Sequence, residues 1–174
     1  YLYRSPFSID AISVDLHAVE ELHPNKTPFT GCLTRVDEAS TRPPGGAQGH
    51  LVYIARTVAE RALPSLEGMP IDFSSDLEDH NKKQVIGIIE RGYIDGNNLM
   101  VEGYLLPKNW PEAVEEIRLN KQRLGMSYEI ASVEVESTDA SIWNLTNLIF
   151  TGAAILLKDK AAYQSTSIAA QAEE

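Results

Sequence analysis

Four histidines, His17, His23, His50 and His80, are the side chains of this sequence whose ordinary pKa suits proton transfer near neutral pH. Hydrolysis by a serine needs a hydroxyl held against such a base, an acceptor that orients the base, and donors facing the developing oxyanion. His23 lies in a Pro-flanked loop and His17 near the end of an early strand, so a solvated or capping role suits both. His50 follows a Gly-rich loop at the opening of a helix, where substrate contact competes with plain exposure. His80 lies in Asp76-Leu77-Glu78-Asp79-His80-Asn81-Lys82-Lys83, a polar stretch that feeds a strand, so its imidazole is expected at the rim of a sheet. Ser127 follows Gly125-Met126 where another strand begins. Serines are common at such places, and Ser127 gains weight only in combination with His80. A divalent-metal hydrolase built on Asp79-His80 is the weaker enzyme reading, because HxH, HExxH and paired-carboxylate spacings are all missing.

The elements that must bring these residues together are legible as patterns. Alternating apolar residues predict strands from Ala11 to Leu16 and from Phe29 to Val36. Residues 37–49, with Pro43-Pro44-Gly45-Gly46, read as an exposed, mobile loop. Val52, Ala55, Val58, Ala59 and Ala62 recur at helical spacing through Leu63. Two apolar runs, Val85 to Ile94 and Leu99 to Leu106, flank Asp95-Gly96-Asn97-Asn98 and predict a β-hairpin. Asn109 can cap a helix that carries Pro111, Glu112 and Glu115 in its first turns and ends near Leu124. Strands are expected from Met126 to Glu136 and from Leu145 to Leu157, and the tail from about residue 161 is expected to be flexible. Many strands without regular βαβ alternation make this a β-rich α+β chain, a barrel decorated by helices.

Composition narrows the function classes. A length of 174 residues, 43% of them hydrophobic, suits one core and one domain over residues 1–174. The formal charge of -10 would repel nucleic acid. No apolar run approaches the roughly 20 residues of a membrane-spanning helix, and no signal-peptide pattern opens the chain, so a soluble, intracellular protein is expected. Cys32 is the single cysteine, which excludes an internal disulfide framework and, lacking Cys or His partners at ligand spacing, argues against a structural zinc site; it reads as a small buried strand residue.

Taken in order, Asp79-His80, Val85-Ile86-Gly87, a hairpin ending in Leu99-Met100-Val101-Glu102-Gly103, an amphipathic helix and Leu124-Gly125-Met126-Ser127-Tyr128-Glu129-Ile130 resemble the tailed-phage prohead proteases, which are related to the herpesvirus capsid-maturation proteases. The resemblance covers residues 66–163. It implies a herpesvirus-protease-like β-barrel surrounded by helices, Ser127 as nucleophile and His80 as general base. The herpesvirus branch uses a second histidine as third member, and phage relatives often place an acid in the segment that here reads Leu145 to Ala154. That segment holds neither, and Asn147 falls nearest the expected position, so a Ser-His dyad oriented by Asn147 is the first choice, with Asp139, Glu129 and Asp79 as alternatives.

The resemblance further implies a serine endopeptidase without metal or organic cofactor. Its substrates would be the scaffold and major capsid proteins, cut inside an assembling prohead in the host cytoplasm, with no nucleic-acid or membrane partner. Self-cleavage is implied too: Ala169-Ala170-Gln171-Ala172-Glu173-Glu174 resembles a context in which such enzymes cut after Glu. Tyr1 and Glu174 each allow two readings, a processed end or an end cut from a longer chain. A homo-oligomer stays open, since no dimer helix is marked. The rival from another class is a non-catalytic β-barrel module, scaffold or structural, of a phage particle.

Overall fold

The computed structural model describes residues 23–75, 80–157 and the backbone of 167–170. The strand expected from Ala11 to Leu16, and with it His17 and Asp79, lies outside the described residues. In chain order the elements are β1 (Thr27–Arg35), β2 (Leu51–Ile54), α1 (Arg56–Ala62), a 3-10 turn (Leu63–Leu66) and β3 (Pro70–Asp72). There follow β4 (Val85–Asp95), β5 (Asn98–Leu105), α2 (Pro111–Leu119), β6 (Leu124–Val135), β7 (Ile142–Leu157) and β8 (Ser167–Ala170).

The 16-residue β7 is the spine of the sheet. Antiparallel β6 pairs with it from end to end; β2 pairs in parallel with its start and β3 with its end. From β3 the sheet continues through β4, β5, β1 and β8. It curls into a half-barrel, bringing β1 and β8 against β6. Period-two burial builds the interior. On β5, Leu99, Val101 and Leu105 are fully buried while Met100, Glu102 and Tyr104 point away. Phe29, Ile54, Ile71, Ile86, Ile89 and Phe150 fill the concave side, each worth roughly 1.5–3 kcal/mol over exposure.

The β4–β5 hairpin closes through Gly96-Asn97, with Gly96 at φ +60° supplying the left-handed turn that its sequence promises. Elsewhere the outcome departs from the sequence pattern. Residues 51–54 form β2 rather than the first turn of a helix, because Leu51-Val52-Tyr53-Ile54 finds a ready ladder in Ile142–Leu145. Val52 is buried in either geometry, so spacing alone does not separate the two. The second helix starts from Trp110, not Asn109, whose side-chain oxygen accepts from Asn25 at 2.8 Å instead. It stops at Leu119, and Leu124 already belongs to β6.

A barrel surrounded by helices is corrected to a half-barrel carrying two short ones. Among the described residues, only Arg56–Ala62 and Pro111–Leu119 form α-helices, and most of the remaining core residues come from the strands. Within the tail, Ser167–Ala170 pairs with Phe29–Cys32 along the outer edge of β1.

Candidate active site

β6 presents alternate faces to the core and to a cleft. Leu124, Met126 and Tyr128 are buried, with Tyr128 edge-on to Phe150, so Ser127 and Glu129 point the other way and stand two positions apart on one face. The phenol of Tyr128, held in the core, has its pKa pushed up by burial. Ser127 pairs with Ala154 on β7, and Ala154 pairs on its far side with Asp72 of β3. Directly paired residues project to the same side of a sheet, so Asp72, Ala154 and Ser127 form a row across three strands.

His80 arrives over that row from the turn before β4. The turn is held by backbone bonds from Gln84 N–H to Asn81 O (2.9 Å) and from Phe73 N–H to Gln84 O (3.2 Å), and by Lys83 N–H donating to the Asn81 side chain (3.1 Å). Asp72, 3% exposed, accepts the Asn81 N–H at 3.0 Å. The imidazole Nδ1 lies 2.6 Å from Glu129 Oε2 and 3.8 Å from Asp72 Oδ1. The first distance is a charge-assisted hydrogen bond and the second an ion-pair separation. Lys82 Nζ, largely exposed, stands 3.7 Å from Glu129 Oε1.

Gly152 makes room for this arrangement. It pairs with Glu129, and a Cβ built there would sit 3.2 Å from the Pro70 carbonyl and 3.5 Å from Glu129 Oε1. The run Gly152-Ala153-Ala154 therefore has a local reason at two positions: no side chain beneath the Glu129 carboxylate, and only a methyl between Asp72 and Ser127.

The electrostatics follow from burial and crowding. Burial opposes charge on His80, but the pull of Asp72 and Glu129 outweighs it and holds the imidazole pKa above its ordinary value. Asp72 is buried as well, yet His80, Glu129 and the Asn81 N–H together keep its pKa below the ordinary carboxylate value. Glu129 goes the other way, raised by burial and by the neighbouring Asp72 more than His80 lowers it. Asp72 is thus the firmly ionised member of the pair.

The donor atoms of Asp72, His80 and Glu129 all lie within 4.8 Å of one another, a group that could hold a metal ion. Two ligands bound to one tetrahedral ion at about 2.0–2.1 Å stand roughly 3.3 Å apart. The separation of 2.6 Å between Nδ1 and Oε2 is instead that of two atoms sharing a proton.

Ser127, His80 and Glu129 line one cleft of about 640 Å³. Its wall also includes Pro43 to Gln48, Val133, Val135 and Trp143. The loop of residues 37–49 forms that wall because it is tied down: Ala47 is buried, Ser40 exchanges two hydrogen bonds with Val52, and His50 stacks on Trp143 at 4.7 Å.

Asn147 is not beside the imidazole. It pairs with Glu134, seven positions before Ala154 on β7 and thus roughly 23 Å away at strand rise, and its amide donates to the Ser132 carbonyl at 3.4 Å. Glu129, one of the alternatives named from the sequence, is the acid beside the imidazole. Asp139 lies exposed between β6 and β7. His23 accepts the Asn25 N–H in a turn, and Cys32 is a buried strand thiol whose pKa is raised by burial, as their sequence contexts suggest. Asp72 escaped the sequence reading; its signal is a lone acid among apolar neighbours in Pro70-Ile71-Asp72-Phe73, on a strand of three residues.

No family model matches the sequence, and no curated protein matches it. By fold the chain is similar to the KSHV protease, solved in complex with a hexapeptide phosphonate inhibitor, at a TM-score of 0.53 and 11% identity. The match covers 84% of this chain and 66% of that one, so the chain spans just under two thirds of its length. The bacteriophage T4 capsid assembly protease aligns at a TM-score of 0.42 and 12% identity, over 76% of this chain and 98% of that one. The likeness to the KSHV protease is one of fold.

Proposed function

We propose that this chain is a serine endopeptidase that works through Ser127, His80 and Glu129. The observation that carries the reading is the 2.6 Å bond from His80 Nδ1 to Glu129, two residues after Ser127 on the same strand face and in the same cleft. A proton held on Nδ1 by Glu129 makes Nε2 the basic nitrogen. Nε2 takes the Ser127 proton as Oγ attacks the scissile carbonyl, and Glu129 stabilises the imidazolium that forms. His80 then returns the proton to the leaving amine. Water attacks the acyl-serine by the same route, giving the carboxylic acid and free Ser127.

The substrates we assign are the scaffold and major capsid proteins of a tailed phage, cut within the assembling prohead in the host cytoplasm, and the protease's own chain. The support is the ordered resemblance from His80 to Ser127 together with the protease fold. A protein that acts inside a shell on protein substrates has no need of nucleic-acid affinity, and a formal charge of -10 agrees with that. The rival reading, a non-catalytic particle module, drew its strength from an imidazole without an acid; the bond from His80 to Glu129 weighs against it.

The test is co-expression of the full-length protein with its own capsid and scaffold proteins, beside Ser127→Ala and His80→Ala. Mass spectrometry should find discrete cuts that vanish in both variants. Cuts that persist in both, or no cuts in assembled particles, would sink the assignment and leave the structural-module reading.

A further inference from the structure

We infer that Asp72 is a second acceptor for the His80 imidazole, a positioning residue that fixes the base over Ala154 toward Ser127 and takes the Nδ1 proton when Glu129 releases it. The inference rests on the reading of Ser127 and His80 as nucleophile and base.

Three observations on separate elements converge. First, the strand register sets Asp72 and Ser127 on the same side of the sheet with Ala154 between them. Two inter-strand spacings put their backbones about 10 Å apart, room for an imidazole with a hydrogen bond at each end. Second, Asp72 Oδ1 accepts the N–H of Asn81 at 3.0 Å, so the carboxylate that faces the ring also grips the backbone one residue beyond it. Third, Asp72 is 3% exposed, and burying a carboxylate is costly unless charge and hydrogen bonds meet it. Besides Glu129, its partners are His80 Nδ1 and the Asn81 amide, which belong to the base and its turn.

The geometry also explains why two acids serve one ring. Nδ1 carries a single proton, and Glu129 holds it at 2.6 Å while Asp72 waits at 3.8 Å. A ring movement of about 1 Å would bring Asp72 to hydrogen-bond distance. Glu129 lies on β6 with Ser127, whereas Asp72 lies on β3 beside the His80 turn. The base is thus clamped to both sides of the spine strand. The charged groups facing the ring among the described residues are Asp72 from β3, Glu129 from β6 and, through Glu129, Lys82 from the turn itself.

The test measures the rate at which a peptidyl phosphonate labels Ser127 in the full chain, across pH, for wild type, Asp72→Asn, Glu129→Gln and the double variant. Asparagine keeps an oxygen for the Asn81 N–H but loses the charge. Asp72→Asn should label about tenfold more slowly at the alkaline plateau, with its acid limb moved to lower pH because the imidazole loses an anion. Glu129→Gln should keep measurable labelling, and the double variant should lose far more than the product of the two single effects. An NMR titration of His80 in Glu129→Gln supplies a reading that needs no change at Asp72. The imidazole should still titrate above about 6.5 under the pull of Asp72 alone. The inference is overturned by an unshifted acid limb in Asp72→Asn, by single effects that multiply in the double variant, or by an ordinary His80 titration in Glu129→Gln. Wild-type protein that takes no label at all would strike at the protease reading instead, which separates the two failures.

Discussion

The β6–β7 ribbon has two ends that differ in everything but their hydrogen-bonded partners. From Leu124 to Glu129 the pairing with Gly152–Leu157 is regular, and β3 backs β7 on its other edge. From Ile130 to Val135 the register shifts three times, Ser132 takes a φ of +52°, and residues 131–134 are exposed. The regular end holds Ser127, Glu129 and, across the spine, Asp72; the irregular end holds Asn147. Three flat, registered strands can fix side chains from separate parts of the chain to within a hydrogen bond of one another. At the other end β2 stops opposite Leu145, and the bulged, exposed β6 residues 131–134 bring no charged partner up to Asn147, whose amide meets only the Ser132 carbonyl.

If that contrast is right, the largest effects belong to the nucleophile and base. Ser127→Ala and His80→Ala should each lower peptide cleavage by at least about a thousandfold. Ser127→Ala should keep thermal stability near wild type, whereas His80→Ala should lose some because Asp72 and Glu129 then face each other without the imidazole. Initial rates together with a melting curve check both halves. Next comes Glu129→Gln, expected to cost about a hundredfold in kcat with little change in KM, since it acts through the base and not on substrate. An equal rise in KM would instead place Glu129 in substrate binding. Gly152→Val probes the floor beneath Glu129. It should cost about 1–3 kcal/mol of stability from overpacking against Pro70 O and slow catalysis by displacing the carboxylate, as denaturant melts and rates would show. The smallest effect should come from the other end, where Asn147→Ala should change stability by no more than about 0.5 kcal/mol and leave the cleavage rate unchanged. A large loss of activity there would collapse the distinction between the two ends.

The pH dependence has a definite sign. The pKa of His80 is raised, so the neutral base is present only above that value, and cleavage should rise with pH along a limb lying above the ordinary imidazole range. For folding, the same raised value means that the ion pairs of His80 contribute fully below about pH 6.5 and fade as pH climbs through the folded-state pKa. Catalysis and stability therefore pull in opposite directions over that window.

Local patterns announced much of this. The hairpin around Gly96-Asn97, β1 and the β6 strand carrying Ser127 follow from alternation and turn chemistry that a few neighbouring residues specify. His80 and Ser127 stood out through order along the chain. Which of the candidates stands beside His80 is a matter of register, not of sequence distance: Glu129 does and Asn147 does not. Glu129 is only two residues from Ser127, but its bond to His80 depends on β3, β6 and the His80 turn meeting across β7. Asp72 was harder still, since a three-residue strand has too few positions to show a period. Gly152 and Ala154 were visible as small residues, yet what each leaves room for is set by side chains distant in sequence.

The most direct test of the central claim is covalent labelling of folded wild-type protein with a peptidyl phosphonate, followed by intact mass and peptide mapping. One adduct on Ser127, absent from His80→Ala and Ser127→Ala, is the predicted result. An adduct on another residue, or one that forms as fast without His80, would contradict the account.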